Sequence, residues 1–192
     1  MTQIPIYTIG YGARDIDGFI AVLKAHDIAY LIDVRSKPYS RYKPDFSKDA
    51  LEGYLQAQGI RYIFMGDTLG GQPGDPDCYV DGKVEYDLVK QKPFYLEGIG
   101  RLRQAQRQQL RVAIMCSEGK PEQCHRSKLI GITLTAESIE VAHIDENDQL
   151  ISQEDVNLRL DRGQLRLLDD SYFNFRSRKR YQSEEEDETG GA

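Results

Sequence analysis

Two hydrophobic periodicities alternate along the first 144 residues, and their order predicts an α/β fold. Ile4-Pro5-Ile6-Tyr7-Thr8-Ile9 is short, β-branched and aromatic, and it runs into Gly10-Tyr11-Gly12, the pattern of a strand ending in a sharp turn. Asp15 or Asp17 is placed to cap a helix in which Phe19, Ile20, Val22 and Leu23 recur at helical spacing. The stretch from Ile28 to Val34 is almost continuously apolar, as a parallel strand covered on both faces requires. These three segments make one βαβ unit.

The alternation continues less regularly. Prolines and polar residues from Lys37 to Pro44 mark a loop, and Ser47 opens a helix through Leu51, Tyr54 and Leu55 that stops at Gly59. Ile60 to Met65 reads as a third strand. From Gly66 to Pro93 the chain is rich in Gly, Pro and Asp; this insertion is too long for a simple connector and is expected to form a lid or small subdomain. A helix from Phe94 to Gln109, a strand from Leu110 to Cys116, a helix opening at Pro121 and reaching about Glu137, and a strand from Ile139 to Ile144 follow. The expected fold is a Rossmann-like α/β sandwich, with a mostly parallel sheet of about five strands and a long insertion after the third. Residues 1–145 form that domain, 146–175 a polar extension with a helix from Ser152 to Leu160, and 176–192 a charged tail expected to be disordered.

Composition narrows the setting. The chain has 192 residues, three cysteines and a net charge of −6. An odd cysteine count in a chain of this length points to a reducing compartment, and the default expectation is cytoplasmic. No apolar run reaches the roughly 18–20 residues of a membrane span. The acidity is weak: removing the basic residues Arg176, Arg178, Lys179 and Arg180 and the five acidic residues from Glu184 to Glu188 leaves residues 1–175 at −5. That excess argues against a general nucleic-acid coat and leaves room for a focused anion site.

In open parallel sheets, ligands bind beyond the carboxyl ends of the strands, where helix N-termini point N–H groups inward. Those ends carry Gly10-Tyr11-Gly12, Asp33-Val34-Arg35-Ser36, the Gly66–Gly71 segment, and Cys116-Ser117-Glu118 followed by Cys124-His125-Arg126. Thr8-Ile9-Gly10-Tyr11, Asp33-Val34-Arg35-Ser36 with Pro38 and Ser40-Arg41, Leu69-Gly70-Gly71, Cys116-Ser117-Glu118 and Cys124-His125-Arg126 together resemble the family of domain of unknown function number 488, over roughly residues 4–144. Tyr11 stands where many members carry a histidine. The resemblance implies a compact α/β domain with a shared site and supplies no reaction, so the chemistry must come from the residues.

Cys124 is the sharpest candidate. A helix starting at Pro121 puts it at the end of the first turn, beside His125 and Arg126, surroundings that favour a reactive thiolate. Asp33 and Glu118 are the candidate acid or base, with His125 in contact with substrate or a loop carbonyl. Arg35, Arg41 and Arg126, with Tyr11 and the backbone at Gly70 and Gly71, are the candidate anion pocket, because arginine's fork suits phosphate and carboxylate. Leu69-Gly70-Gly71 lacks the Lys-Ser/Thr of a phosphate-binding loop, and no cofactor is called for. The expected function is an enzyme of the hydrolase or transferase class acting on a small anionic, phosphate- or nucleotide-bearing substrate. Two alternatives remain: a nucleotide- or nucleic-acid-binding module using the basic, tyrosine-rich 35–43 loop without turnover, and a thiol redox or zinc protein using Cys116 and Cys124. A membrane partner is not expected.

Overall fold

A computed structural model describes residues 3–160 and 176–181. The elements run β1 (Ile6–Gly10), α1 (Ile16–Ala25), β2 (Tyr30–Asp33), α2 (Lys48–Ala57), β3 (Arg61–Phe64), α3 (Gly66–Leu69), β4 (Tyr79–Val80), β5 (Lys83–Val84), α4 (Tyr86–Val89), α5 (Pro93–Arg107), β6 (Val112–Cys116), α6 (Ile132–Ala136), β7 (Val141–Ile144), β8 (Leu150–Ser152) and α7 (Gln153–Leu160).

Apolar content places the strands in the sheet. Every residue of β1 and β6 is buried, whereas β3, which opens with Arg61, is largely half-exposed, so the first two lie in the centre and the third at an edge. The sheet has six strands in the order β3-β2-β6-β1-β7-β8. The first five are mutually parallel, and β8 joins antiparallel to β7. This is the mostly parallel α/β sheet read from the sequence, with one further strand that was hidden in the polar 146–175 extension. Leu150-Ile151-Ser152 is too short and too exposed to announce itself.

Helices cover both faces. Phe19, Leu23, Leu51 and Leu55 pack α1 and α2 on one side of the sheet. Tyr95, Ile99, Leu102, Leu129, Ile130 and Leu134 bring α5 and the helical segment after Cys124 against the other. Asp15 caps α1 as expected, accepting the Gly18 N–H at 2.8 Å. Because β1 and β6 are neighbours whose following helices leave to opposite faces, their carboxyl ends form the topological switch point of the sheet.

The insertion after β3 folds as a small subdomain: α3, a β4–β5 hairpin turning at Asp81-Gly82, and α4. Residues 176–181 lie against that hairpin, with the Ser177 N–H bonded to the Val84 carbonyl and the Tyr181 N–H to the Gly82 carbonyl. The expected disorder of the tail therefore does not extend to these six residues, because their backbone donors find an open strand edge; 182–192 lie outside the described residues, as do 161–175.

One helix differs from expectation. The segment opening at Pro121 is a single 3₁₀ turn, Pro121–Gln123. Cys124 then returns to extended backbone (φ −117°, ψ 150°), and the helix proper starts at His125, passing through a wide π-helical turn at Arg126–Gly131 before α6.

Candidate functional site

The break before His125 fixes the position of Cys124. Its carbonyl accepts the Ser127 and Lys128 N–H groups, and its Sγ lies 3.4 Å from the Arg126 N–H. Cys124 therefore acts as the helix N-cap, with sulfur in place of the usual oxygen, rather than as a residue within the first turn. Sulfur at this position faces the unpaired N–H groups and positive end of the helix.

His125 is held by the glycine-rich segment. Its Nε2 is 3.1 Å from the Leu69 carbonyl, which can only accept, so Nε2 carries a proton. In the neutral ring that leaves Nδ1 as an acceptor, 3.6 Å from Cys124 Sγ. A Cβ on Gly71 would come within 2.8 Å of that ring, so glycine is what lets the histidine approach.

Beneath the thiol lies a buried charge. Arg126 is 0% exposed, and its guanidinium donates to the Glu118 carbonyl (2.6 Å), the Gly119 carbonyl (2.9 Å) and Cys116 Sγ (3.3 Å). Among the described residues it has no carboxylate at ion-pairing distance, and its Nε has no partner. Desolvation works against this charge, yet Cys116, Cys124 and Glu118 outweigh it and raise the Arg126 pKa overall. The Glu118 carboxyl is opposed by burial but held below the usual carboxylate range by its own backbone N–H, the two thiols and His125. Burial, assisted by Cys124, pushes the Cys116 thiol well up, so Cys116 stays protonated.

The structure does not bring the three expected arginines to one rim. Arg35 is paired with Asp33 (2.6 Å), whose carboxylate also accepts the Tyr62 hydroxyl at 2.7 Å. Asp33 is 0% exposed, and both its oxygens are engaged, which makes it a holding group rather than an open acid or base. Arg126 supports the floor of the site, and Arg41 is exposed on the 37–43 loop. Tyr11 stacks on Phe46 at 4.3 Å beneath the Arg35 guanidinium, and Gly70 lets the chain pass the Gly66 carbonyl and Ser36.

A cavity of about 40 Å³ does adjoin the thiol, and the domain lines it with Gly71, Tyr86, Glu118, Gln123, Cys124 and His125. Its other wall is Ser177, Arg178, Lys179 and Tyr181, a contribution that the sequence reading missed. The run Ser177-Arg178-Lys179-Arg180-Tyr181 has no hydrophobic periodicity to follow. At the inner end, Cys116 Sγ, a Glu118 oxygen and Cys124 Sγ lie within 4.8 Å of one another, a set able to ligate a metal ion. Cys78, the third free thiol, is buried away from this group.

His143, beside β1, belongs to a separate buried network. Its Nδ1 accepts the Thr8 hydroxyl at 2.7 Å, and its Nε2 donates to Gln153 at 2.9 Å. Burial lowers its pKa to about 3, so it stays neutral.

No curated protein and no solved structure matches the chain. The family described as domain of unknown function DUF488 matches residues 15–132, a span that contains β2, the glycine-rich segment, Cys116, Glu118, Cys124 and Arg126. The chain belongs to the DUF488 family.

Proposed function

We propose that the protein is a thiol-dependent enzyme of the hydrolase or transferase class, with Cys124 as nucleophile, acting on a small substrate that carries an anionic group. The observation that supports this most strongly is the N-cap position of Cys124 on a cavity, with His125 Nδ1 3.6 Å from its sulfur and a wholly buried guanidinium below. His125 is oriented to take the thiol proton, because Leu69 holds the tautomer that leaves Nδ1 bare. Glu118, kept ionised beside the sulfur, would act as the base for the bond that forms and breaks there. The Arg126 guanidinium, wholly buried and bonded to the Glu118 and Gly119 carbonyls, sets a fixed positive charge under the site that suits an anionic substrate group.

Site-resolved alkylation tests this reading. Iodoacetamide is expected to modify Cys124 at least tenfold faster than Cys78, and Cys124→Ser to abolish turnover in a screen of phosphate-bearing small molecules. Equal labelling of the two cysteines, or full activity in the variant, would sink it.

The convergence of Cys116, Glu118 and Cys124 favours a second reading, a zinc enzyme with three protein ligands and an open position facing the cavity. Glu118 completes the set with the two cysteines, and His125 stands outside it, turned to Leu69. The N–H groups directed at both sulfurs suit metal-bound thiolates. Native mass spectrometry after expression with zinc decides it: one equivalent, lost in Glu118→Ala, supports the metal reading, and metal-free protein with reactive Cys124 refutes it.

A further inference from the structure

The wall of the cavity formed by residues 177–181 lies beyond the part of the chain that matches the family, residues 15–132. It is anchored at several points. Arg176 pairs with the buried Glu85 (2.5 Å), and Ser177 exchanges backbone and side-chain bonds with Val84, both 2.9 Å. Tyr181 packs edge-on against Tyr79, and Arg178 donates to Gln123 at 2.9 Å. This strap therefore has a defined place over Cys124.

We infer that Arg178 and Lys179 are the charged wall of a binding site for a phosphate-like dianionic group of the substrate. The inference deepens the thiol-enzyme reading and depends on it for its catalytic meaning, though not for the binding itself. Three observations support it. First, the charge is crowded: Arg178 and Lys179 line the cavity, the half-buried Lys128 lies near Arg178, and among the described residues none of the three has an ion-pair partner. Desolvation and the nearby Arg178 push the Lys128 pKa down, while Cys124 and Glu122 oppose that shift. Like charges held together in this way are stabilised when an anion sits among them.

Second, the space against the sulfur is small: about 40 Å³ between Cys124, His125 and the strap gives room for a compact oxyanion group, while the rest of the ligand extends through the open mouth. Third, the charges divide the site. The acidic group Glu118 lies at the inner end beside the two sulfurs, and the cations lie on the strap, with His125 between a loop carbonyl and Cys124. An anion held by the strap would present the adjoining atom of the substrate to Cys124 and keep its own charge from Glu118. Two adjacent cations match a dianion better than a carboxylate.

Calorimetric titration of the full chain with inorganic phosphate, and separately with acetate, tests the inference on the wild type and on Arg178→Gln/Lys179→Gln. Both strap residues are exposed, so the double variant should fold; a thermal melt within a few degrees of the wild type establishes that. Phosphate affinity is expected to fall at least tenfold in the double variant and, in the wild type, to exceed that for acetate. Absent phosphate binding, equal affinity in the double variant, or tighter binding of acetate would overturn the inference. Slow alkylation of Cys124 with phosphate binding intact would overturn the enzyme reading and leave the strap site standing.

Discussion

Asp33 shows how a residue takes its work from its surroundings. Asp33 sits at a strand end, where an acid or base is expected, but it is spent on Arg35 and Tyr62. Asp33→Asn keeps the shape and removes the charge, leaving a buried guanidinium uncompensated. It is expected to destabilise the fold by about 3–5 kcal/mol in urea titration; a loss below about 1 kcal/mol would show that the pair is dispensable. Gly10 is a second residue whose meaning lies in its neighbours. A Cβ there would lie 1.7 Å from the Glu118 carbonyl oxygen and 2.3 Å from the Arg126 guanidinium. Because the obstacle is backbone, Gly10→Ala must displace the 117–119 loop, at a cost of about 1–3 kcal/mol or more, and is expected to lower Cys124 alkylation as well as the melting temperature.

Elements set the reach of the site. The 3₁₀ turn at Pro121 and the extended backbone at Cys124 turn a helix interior into a helix cap. The π-helical turn that follows ends at Gly131, where a Cβ would fall 2.1 Å from the Gln153 side chain of α7. Gly131→Ala should therefore push Gln153 off His143 and cost about 1–3 kcal/mol, readable in a thermal melt. The strap is an element defined only by its neighbours: its strand-like pairing to β5 and the Arg176–Glu85 pair fix it over the thiol. Cys124 is 2% exposed with the strap in place. Loosening it by Arg176→Gln is expected to speed Cys124 alkylation several-fold, and an unchanged rate would show that the strap does not guard the sulfur.

For the molecule as a whole, acid sensitivity follows from His143. Its folded pKa of about 3 lies below the ordinary value of 6.5, so the unfolded chain binds a proton between those values and the folded one does not. Stability from this group is full above pH 6.5 and declines as pH falls towards 3, by about 1.4 kcal/mol per pH unit within that window. Carboxylates held low, such as Glu118, act in the same direction but only as pH falls below their unfolded value of about 4.3. The slope between pH 6.5 and 4.5 therefore isolates the histidine; His143→Gln should flatten it in denaturation curves, and an unaltered slope would assign it elsewhere. Among the described residues no helix is long and apolar enough to cross a membrane.

Local chemistry carried much of this in the sequence. The continuous apolar runs of β1, β2 and β6 require a sheet covered on both faces, and the strand-end motifs mark the edge where Cys116, Glu118 and Cys124 meet. Asp15 announced the start of α1 because a cap needs only its own first turn. Partnership was not legible. Whether Arg35 and Arg126 face solvent, Asp33 or a backbone carbonyl depends on residues that the chain brings near only on folding, and all three arginines look alike in sequence. The helix break that makes Cys124 a cap, the short β8 and the strap with Arg178 and Lys179 arise from long-range pairing, which leaves no local periodicity. The sequence by itself determined the layers and the strand-end edge that carries the candidate residues, because burial and turn chemistry are local. Only the tertiary structure decided which charges are spent inside the fold and which line the cavity beside the thiol, because the cost of a buried charge depends on what folding places beside it.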